Sequence, residues 1–197
     1  ELWNSWSHAA GILLGVVIGV IFLVWCFRYH NGWATAGVIL YLFGMLSSYL
    51  ASAVYHAMSA RSVWKERLLK WDHAAIYWHI AGSYSPITLV ALRDQGLWGW
   101  TLFCFVWLCA IVGTIISFHR LKGHSNIETF AYIGMGLCVL VAFKPLIDSV
   151  SASAVSWIVA EGVAYITGAL FYMRHNRKYM HTVFHFFVLL GSACHIV

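Results

Sequence analysis

Seven stretches of mostly apolar residues alternate along the chain with short polar breaks, and hydropathy sets them at 8–28, 36–58, 72–92, 97–117, 127–143, 153–173 and 180–197. Each holds roughly 18 to 22 residues, enough for a helix to cross a hydrocarbon core about 30 Å thick. No water is present there to satisfy an open backbone, so every stretch is predicted as a helix. The pattern predicts an all-α membrane protein, a single seven-transmembrane helix bundle over residues 1–197 with no second domain. Composition agrees with it: 61% of the 197 residues are hydrophobic and 10% are charged, against about 25% charged in soluble domains. The first stretch continues through Trp25, Cys26 and Phe27 with no small-residue cleavage site behind it, and so reads as a retained span. The start at Glu1 and the end at Val197 inside an apolar run read as trimmed ends.

The charged breaks orient the bundle. Nine basic residues, Arg61, Lys65, Arg67, Lys70, Arg120, Lys122, Arg174, Arg177 and Lys178, follow stretches two, four and six, whereas only Arg28, Arg93 and Lys144 follow one, three and five. Loops on the cytoplasmic side carry the excess of Lys and Arg. The N-terminus is therefore expected in the cytoplasm and the C-terminus outside. The net charge of +5 is accounted for by topology, and no nucleic-acid partner is implied. Cys26, Cys104, Cys109, Cys138 and Cys194 all fall in apolar stretches without CxxC spacing and read as small apolar fillers.

This orientation brings polar residues from distant parts of the chain to one side. His56 ends the second stretch, Asp72 opens the third and His181 opens the seventh, all at the cytoplasmic end. His181 and His185 are four residues apart and share a helix face. Zinc at a catalytic site takes three protein ligands and keeps a fourth position for water, a need that His56, His181 and His185 can meet. The HxxxH spacing lacks the glutamate of HExxH, since Thr182 follows the first histidine. The base must come from elsewhere: Asp72 is the first candidate, with Glu128 and Glu1 as competitors. Ser52, one turn before His56, is placed to steady a water or an oxyanion, or simply to bond back to its own helix. Ordinary interhelical hydrogen bonds are the plain alternative for the whole set.

Depth separates the remaining polar residues. His195 lies fourteen residues beyond His181, about 21 Å along a helix, too far to share an ion and expected to form hydrogen bonds in the outer leaflet. His79, about 10 Å deeper than Asp72 on the same face, is a cavity or packing residue. His73 is expected to point away from the site, and His30, His119, His124 and His175 fall at loops or boundaries. Glu1, Asn4 and His8 share one face and are candidates for a supporting shell. Glu161 is an intramembrane carboxylate with no partner that sequence can name. Trp3, Trp33, Trp98 and Trp100 read as interfacial anchors. Pro86, after Gly82-Ser83-Tyr84-Ser85, is expected to break the third helix and open space at mid-membrane.

These residues carry a resemblance. Glu1, Asn4 and His8, the segments Ser52-Ala53-Val54-Tyr55-His56 and Asp72-His73-Ala74-Ala75-Ile76-Tyr77, Ala81 to Pro86, Gly168 with Phe171-Tyr172, and His181 to Val188 are together similar to the hemolysin III family of bacteria, within the progestin and adipoQ receptor superfamily. Ser7 departs from the threonine of many members. The resemblance implies seven helices with an inward N-terminus, residence in the bacterial cell membrane, zinc on His56, His181 and His185, and Ser52 and Asp72 beside the water. Related families include ceramide-hydrolysing enzymes. The leading expectation is thus a zinc-dependent hydrolase of a lipid amide or ester acting in membrane lipid homeostasis, with a membrane lipid as substrate. A sensor or receptor-like regulator with structural zinc is the second. A pore-forming hemolysin is third, because no amphipathic insertion segment is evident. The seventh stretch has no lysine for a Schiff base, which sets a retinal photoreceptor aside.

Overall fold

The computed structural model describes residues 1–120, 126–174 and 177–197, and among them every regular element is helical. Helix α1 covers Leu2–Arg28, α2 Gly32–Ala57, α3 Lys65–Pro86, α4 Trp98–Arg120, α5 Asn126–Gly136, α6 Phe143–Ser149, α7 Ala152–Tyr172 and α8 Met180–Ile196. A π-helical turn, Ile87–Ala91, prolongs α3, and a 3-10 stretch, Leu137–Ala142, joins α5 to α6. All seven expected stretches coincide with helix. Five are long and apolar enough to cross a membrane; α3 and α8 are not among them. The reason differs for each: α3 carries polar residues along its length, among them Lys70, Asp72, His73 and His79, while α8 has 17 residues. His124, His175 and Lys122 lie outside the described residues.

Two boundaries differ from hydropathy for a physical reason. Helix α1 starts at Leu2, because its polar first turns are buried by neighbours at Asn4, Ser7 and His8. Helix α3 starts at Lys65, whose ammonium donates to the Tyr55 and Met58 carbonyls at 2.6 and 3.1 Å and closes the C-terminus of α2. The break at Pro86 is a π-turn, marked by the Leu92 amide donating to the Ile87 carbonyl at 2.9 Å. The expected fifth span is interrupted. There Tyr84 of α3 reaches the irregular stretch, its hydroxyl facing the Met135 and Gly136 carbonyls and accepting from the Val139 amide at 2.9 Å.

Small residues let the helices approach. Gly11, Gly15 and Gly19 form one stripe of α1 against Tyr49, Met45 and Leu42 of α2. Helices α2 and α3 cross almost backbone to backbone: a Cβ on Gly44 would fall on the Trp78 carbonyl, and one on Gly82 would come 2.9 Å from the Leu40 carbonyl. Gly44→Ala is expected to destabilise the bundle by about 1–3 kcal/mol through that overlap. Gly162→Ala, with nothing within 4 Å of the new methyl, is the control. Thermal unfolding in detergent distinguishes them, and equal midpoints would refute the close crossing.

Packing continues from α1 to α2, α3 and α4, and α8 lies against both α7 and α1, returning the last helix to the first. One buried cluster, around Tyr77, Tyr84, Leu92, Val106 and Leu146, joins α3 and α4 to the α5–α6 region. The other, Tyr41, Met45 and Tyr49, joins α2 to α1 and α8. Outward faces remain apolar, as at Leu13, Val17, Ile111, Ile115 and Val163, and Trp3, Trp33, Trp98 and Trp100 are exposed as well. Of the cysteines only Cys194 is fully buried, and Cys104 faces outward.

Candidate metal centre

The end of α2 and the first turns of α8 bring three histidines together. Ring nitrogens of His56, His181 and His185 all lie within 4.8 Å of one another. The Nε2 atoms of His56 and His181 are 3.1 Å apart. Two histidine nitrogens bound tetrahedrally to zinc at about 2.0–2.1 Å would be roughly 3.3 Å apart, so this spacing fits such an ion. His56 and His185 are buried and His181 is half-buried.

Each buried ligand candidate is held from behind. His56 Nδ1 donates to the Glu1 carboxylate at 2.5 Å, which leaves Nε2 turned to its companions. His185 Nδ1 is 3.3 Å from the Ser7 hydroxyl and lies close to the Asn4 carbonyl. Ser7 donates to that same carbonyl at 2.9 Å. The Asn4 side chain accepts from Thr182 at 2.6 Å, and Ser5 donates to the Ala53 carbonyl at 3.0 Å. His8 stacks on His185 with ring centroids 3.9 Å apart. The first two turns of α1 therefore brace the site on α2 and α8. Partners of this kind fix the tautomer and raise ligand basicity. Glu1→Gln is expected to weaken zinc affinity by about 10–100-fold, measured by competition with a chromophoric chelator; unchanged affinity would refute the bracing role.

Asp72 and Ser52 lie on the other side of the site. Ser52 stands beside Asp72, and both line a cavity of about 340 Å³ together with His8, His181 and His185. Asp72 is buried and Ser52 is 3% exposed. Ile76, Ile80, Ile133, Leu137, Val159 and Val163 make the remainder of that wall largely apolar. Ser83, Tyr84 and Ile87, around the break in α3, also line it, so the expected space at Pro86 exists.

Three sequence expectations change here. His73 does not point away: it lines the cavity, its Nδ1 bonds the Glu128 carboxylate at 2.7 Å, and Tyr172 stands 3.3 Å from its Nε2. Glu128, a competitor for the role of base, is committed to that pair and to Ser117 at 2.7 Å. Glu161 has a partner after all, His195 Nδ1 at 2.9 Å. His79 lines the cavity and meets Ser192 at 3.3 Å. A signal for the bracing by α1 was present in the sequence: Glu1, Asn4 and His8 continue into Gly11, Gly15 and Gly19, one face of small and polar residues. His73 with Glu128 gave none, since the two come from separate helices with no shared spacing.

The family described as Haemolysin-III related matches residues 1–196. The chain is 33% identical to the Hemolysin-3 homolog of Bacillus subtilis (strain 168) over 193 residues, 98% of this chain and 89% of the relative. It is also 33% identical to Hemolysin-3 of Bacillus cereus, over 98% of this chain and 87% of that protein. Similarity extends to the monocyte to macrophage differentiation factor of Homo sapiens, 27% identical over 98% of this chain and 79% of the relative. With five membrane-length apolar helices and a match that runs from one end to the other, this multi-pass membrane protein belongs to the haemolysin-III related family.

Proposed function

We propose that this protein is a zinc-dependent hydrolase of a lipid amide or ester, a seven-span resident of a bacterial cell membrane with its N-terminus and metal end toward the cytoplasm. One observation carries the reading: two histidines of the triad, His181 and His185, line a largely apolar cavity that the buried Asp72 carboxylate lines as well. When bound, zinc would supply a Lewis acid for the substrate carbonyl and bring the pKa of its water near 7.

The protein's own groups account for the rest. Glu1, Asn4 and Ser7 orient His56 and His185, so the donor set is formed before substrate arrives. Asp72 takes the proton that the attacking water loses and returns it to the departing nitrogen or oxygen as the acyl C–N or C–O bond breaks. Ser52, beside Asp72, is placed to donate to one carboxylate oxygen and leave the other for that water. The isoleucines and valines of the wall hold the hydrocarbon chain and exclude bulk water, which strengthens the polar contacts at the reacting end. The test is fatty-acid release from ceramide, N-acylethanolamine and phospholipid by zinc-loaded and chelated protein. Zinc-loaded protein that releases none from any class would refute the proposal.

A second reading keeps zinc as a clamp in a regulator of membrane state. It is favoured by the way the triad, with Glu1, ties α1, α2 and α8 at one end. It predicts zinc-dependent stability without turnover.

A further inference from the structure

The end of the bundle opposite the triad holds a second buried polar assembly that hydrolysis does not use. Nδ1 of His195 in α8 meets the Glu161 carboxylate of α7 at 2.9 Å, with side chains 8% and 10% exposed. Ionisable residues buried inside a membrane span are costly and mark function by default. The position of this pair is unusual. Glu161 lines the central cavity, whereas His195 lines a separate cleft of about 300 Å³ beside the π-turn and the starts and ends of α7 and α8. Ile87 and Ile158 border both spaces, and the Glu161–His195 hydrogen bond joins a residue lining one to a residue lining the other.

Polar groups continue inward from the pair. Tyr165 and Tyr41 lie within the electrostatic reach of Glu161. Tyr165 is 3.0 Å from the Ser192 hydroxyl, which also accepts from Tyr49 at 2.6 Å and stands 3.3 Å from His79 Nε2. The Tyr41 ring packs on His195 at 4.5 Å, and its buried hydroxyl has no hydrogen-bond partner among the described residues. From there the central cavity runs to His181, which is fourteen residues from His195 and so about 21 Å away along α8. The linings of the two spaces thus extend along the bundle from His181 to His195, with the Glu161–His195 pair between them.

We propose that Glu161 and His195 form a proton-exchange gate, through which the protein conducts protons between its two faces. A proton from the cleft binds Nε2 of His195, and the ring releases its Nδ1 proton to Oε2 of Glu161. The carboxyl then gives a proton to water in the central cavity. One N–H bond forms and one breaks, and likewise one O–H bond, so a single proton crosses; reorientation of the ring then turns Nε2–H toward Glu161 and Nδ1 toward the cleft, and the two nitrogens exchange roles for the next proton. The hydroxyl of Tyr41 supplies a hydrogen bond to the pair as its charge changes. This activity needs neither the metal nor Asp72.

The test is proton flux into proteoliposomes loaded with a pH-sensitive dye, driven by a potassium gradient with valinomycin. Wild-type protein is expected to dissipate the gradient faster than protein-free vesicles. Glu161→Gln and His195→Gln, which keep polar side chains but cannot relay a proton, are expected to lose that increment while remaining monodisperse and helical. Wild-type flux is expected to be the same with added zinc and with a chelator, which separates this result from the fate of the hydrolase reading. Wild-type flux equal to that of empty vesicles overturns the gate, and so does full flux in both glutamine variants. If the variants do not fold, the comparison of wild type with empty vesicles decides.

Discussion

Replacing His185 with alanine is expected to abolish metal binding at the triad and to lower stability. The residue is 1% exposed and meets the other two histidines, the Ser7 hydroxyl and the face of His8. Loss of a supporting partner alone lowers metal affinity about 10–100-fold, so loss of a ligand is expected to exceed that range. The effect on folding follows from linkage. With free zinc at about a thousand times its dissociation constant, binding contributes roughly 4 kcal/mol to the folded state, and the variant forfeits it. Elemental analysis and thermal unfolding with and without zinc provide the check. Wild-type protein gains thermal stability from zinc and the variant does not; stoichiometric metal in the variant would show that the triad is not the site.

Asp72→Asn is expected to separate metal binding from chemistry. Asparagine preserves shape and can still accept from Ser52, so the triad should keep its ion. Its amide cannot take a proton from water, and removal of a positioned base costs about 10²–10⁴-fold in turnover. The readout is the rate of fatty-acid release by enzyme of measured zinc content. A loss in rate at unchanged zinc assigns Asp72 as the base. Activity equal to wild type would remove it from the mechanism, and zinc-stabilised protein with no turnover in either form would favour the clamp.

Helix positions were legible in this chain because hydropathy reports directly on which residues face lipid. It misplaced the starts of α1 and α3 for the converse reason: Asn4, Ser7 and His8 are polar yet buried by α8, and Lys65 is charged yet spent on the end of α2. The interruption after Gly136 was not legible, since an apolar run reads the same whether its turns are α or 3-10. For the site, helix spacing and alternation brought out His56, His181, His185, Asp72 and Ser52, because depth in a membrane is countable along the chain. Contacts between helices at equal depth are not countable in that way. His73 with Glu128, and Glu161 with His195, depend on how each helix is rotated about its axis, which packing decides.

The return of α8 to α1 also bears on how such a chain is made. His56 and His181 are 125 residues apart in sequence, yet their nitrogens nearly touch. While the ribosome is still adding residues before 181, the nascent protein holds one histidine of the three, and α1 has not yet met the helix its first turns brace. The three histidines therefore come together only once α8 has been made and packed back against α1, so the candidate site cannot form on the earlier helices alone.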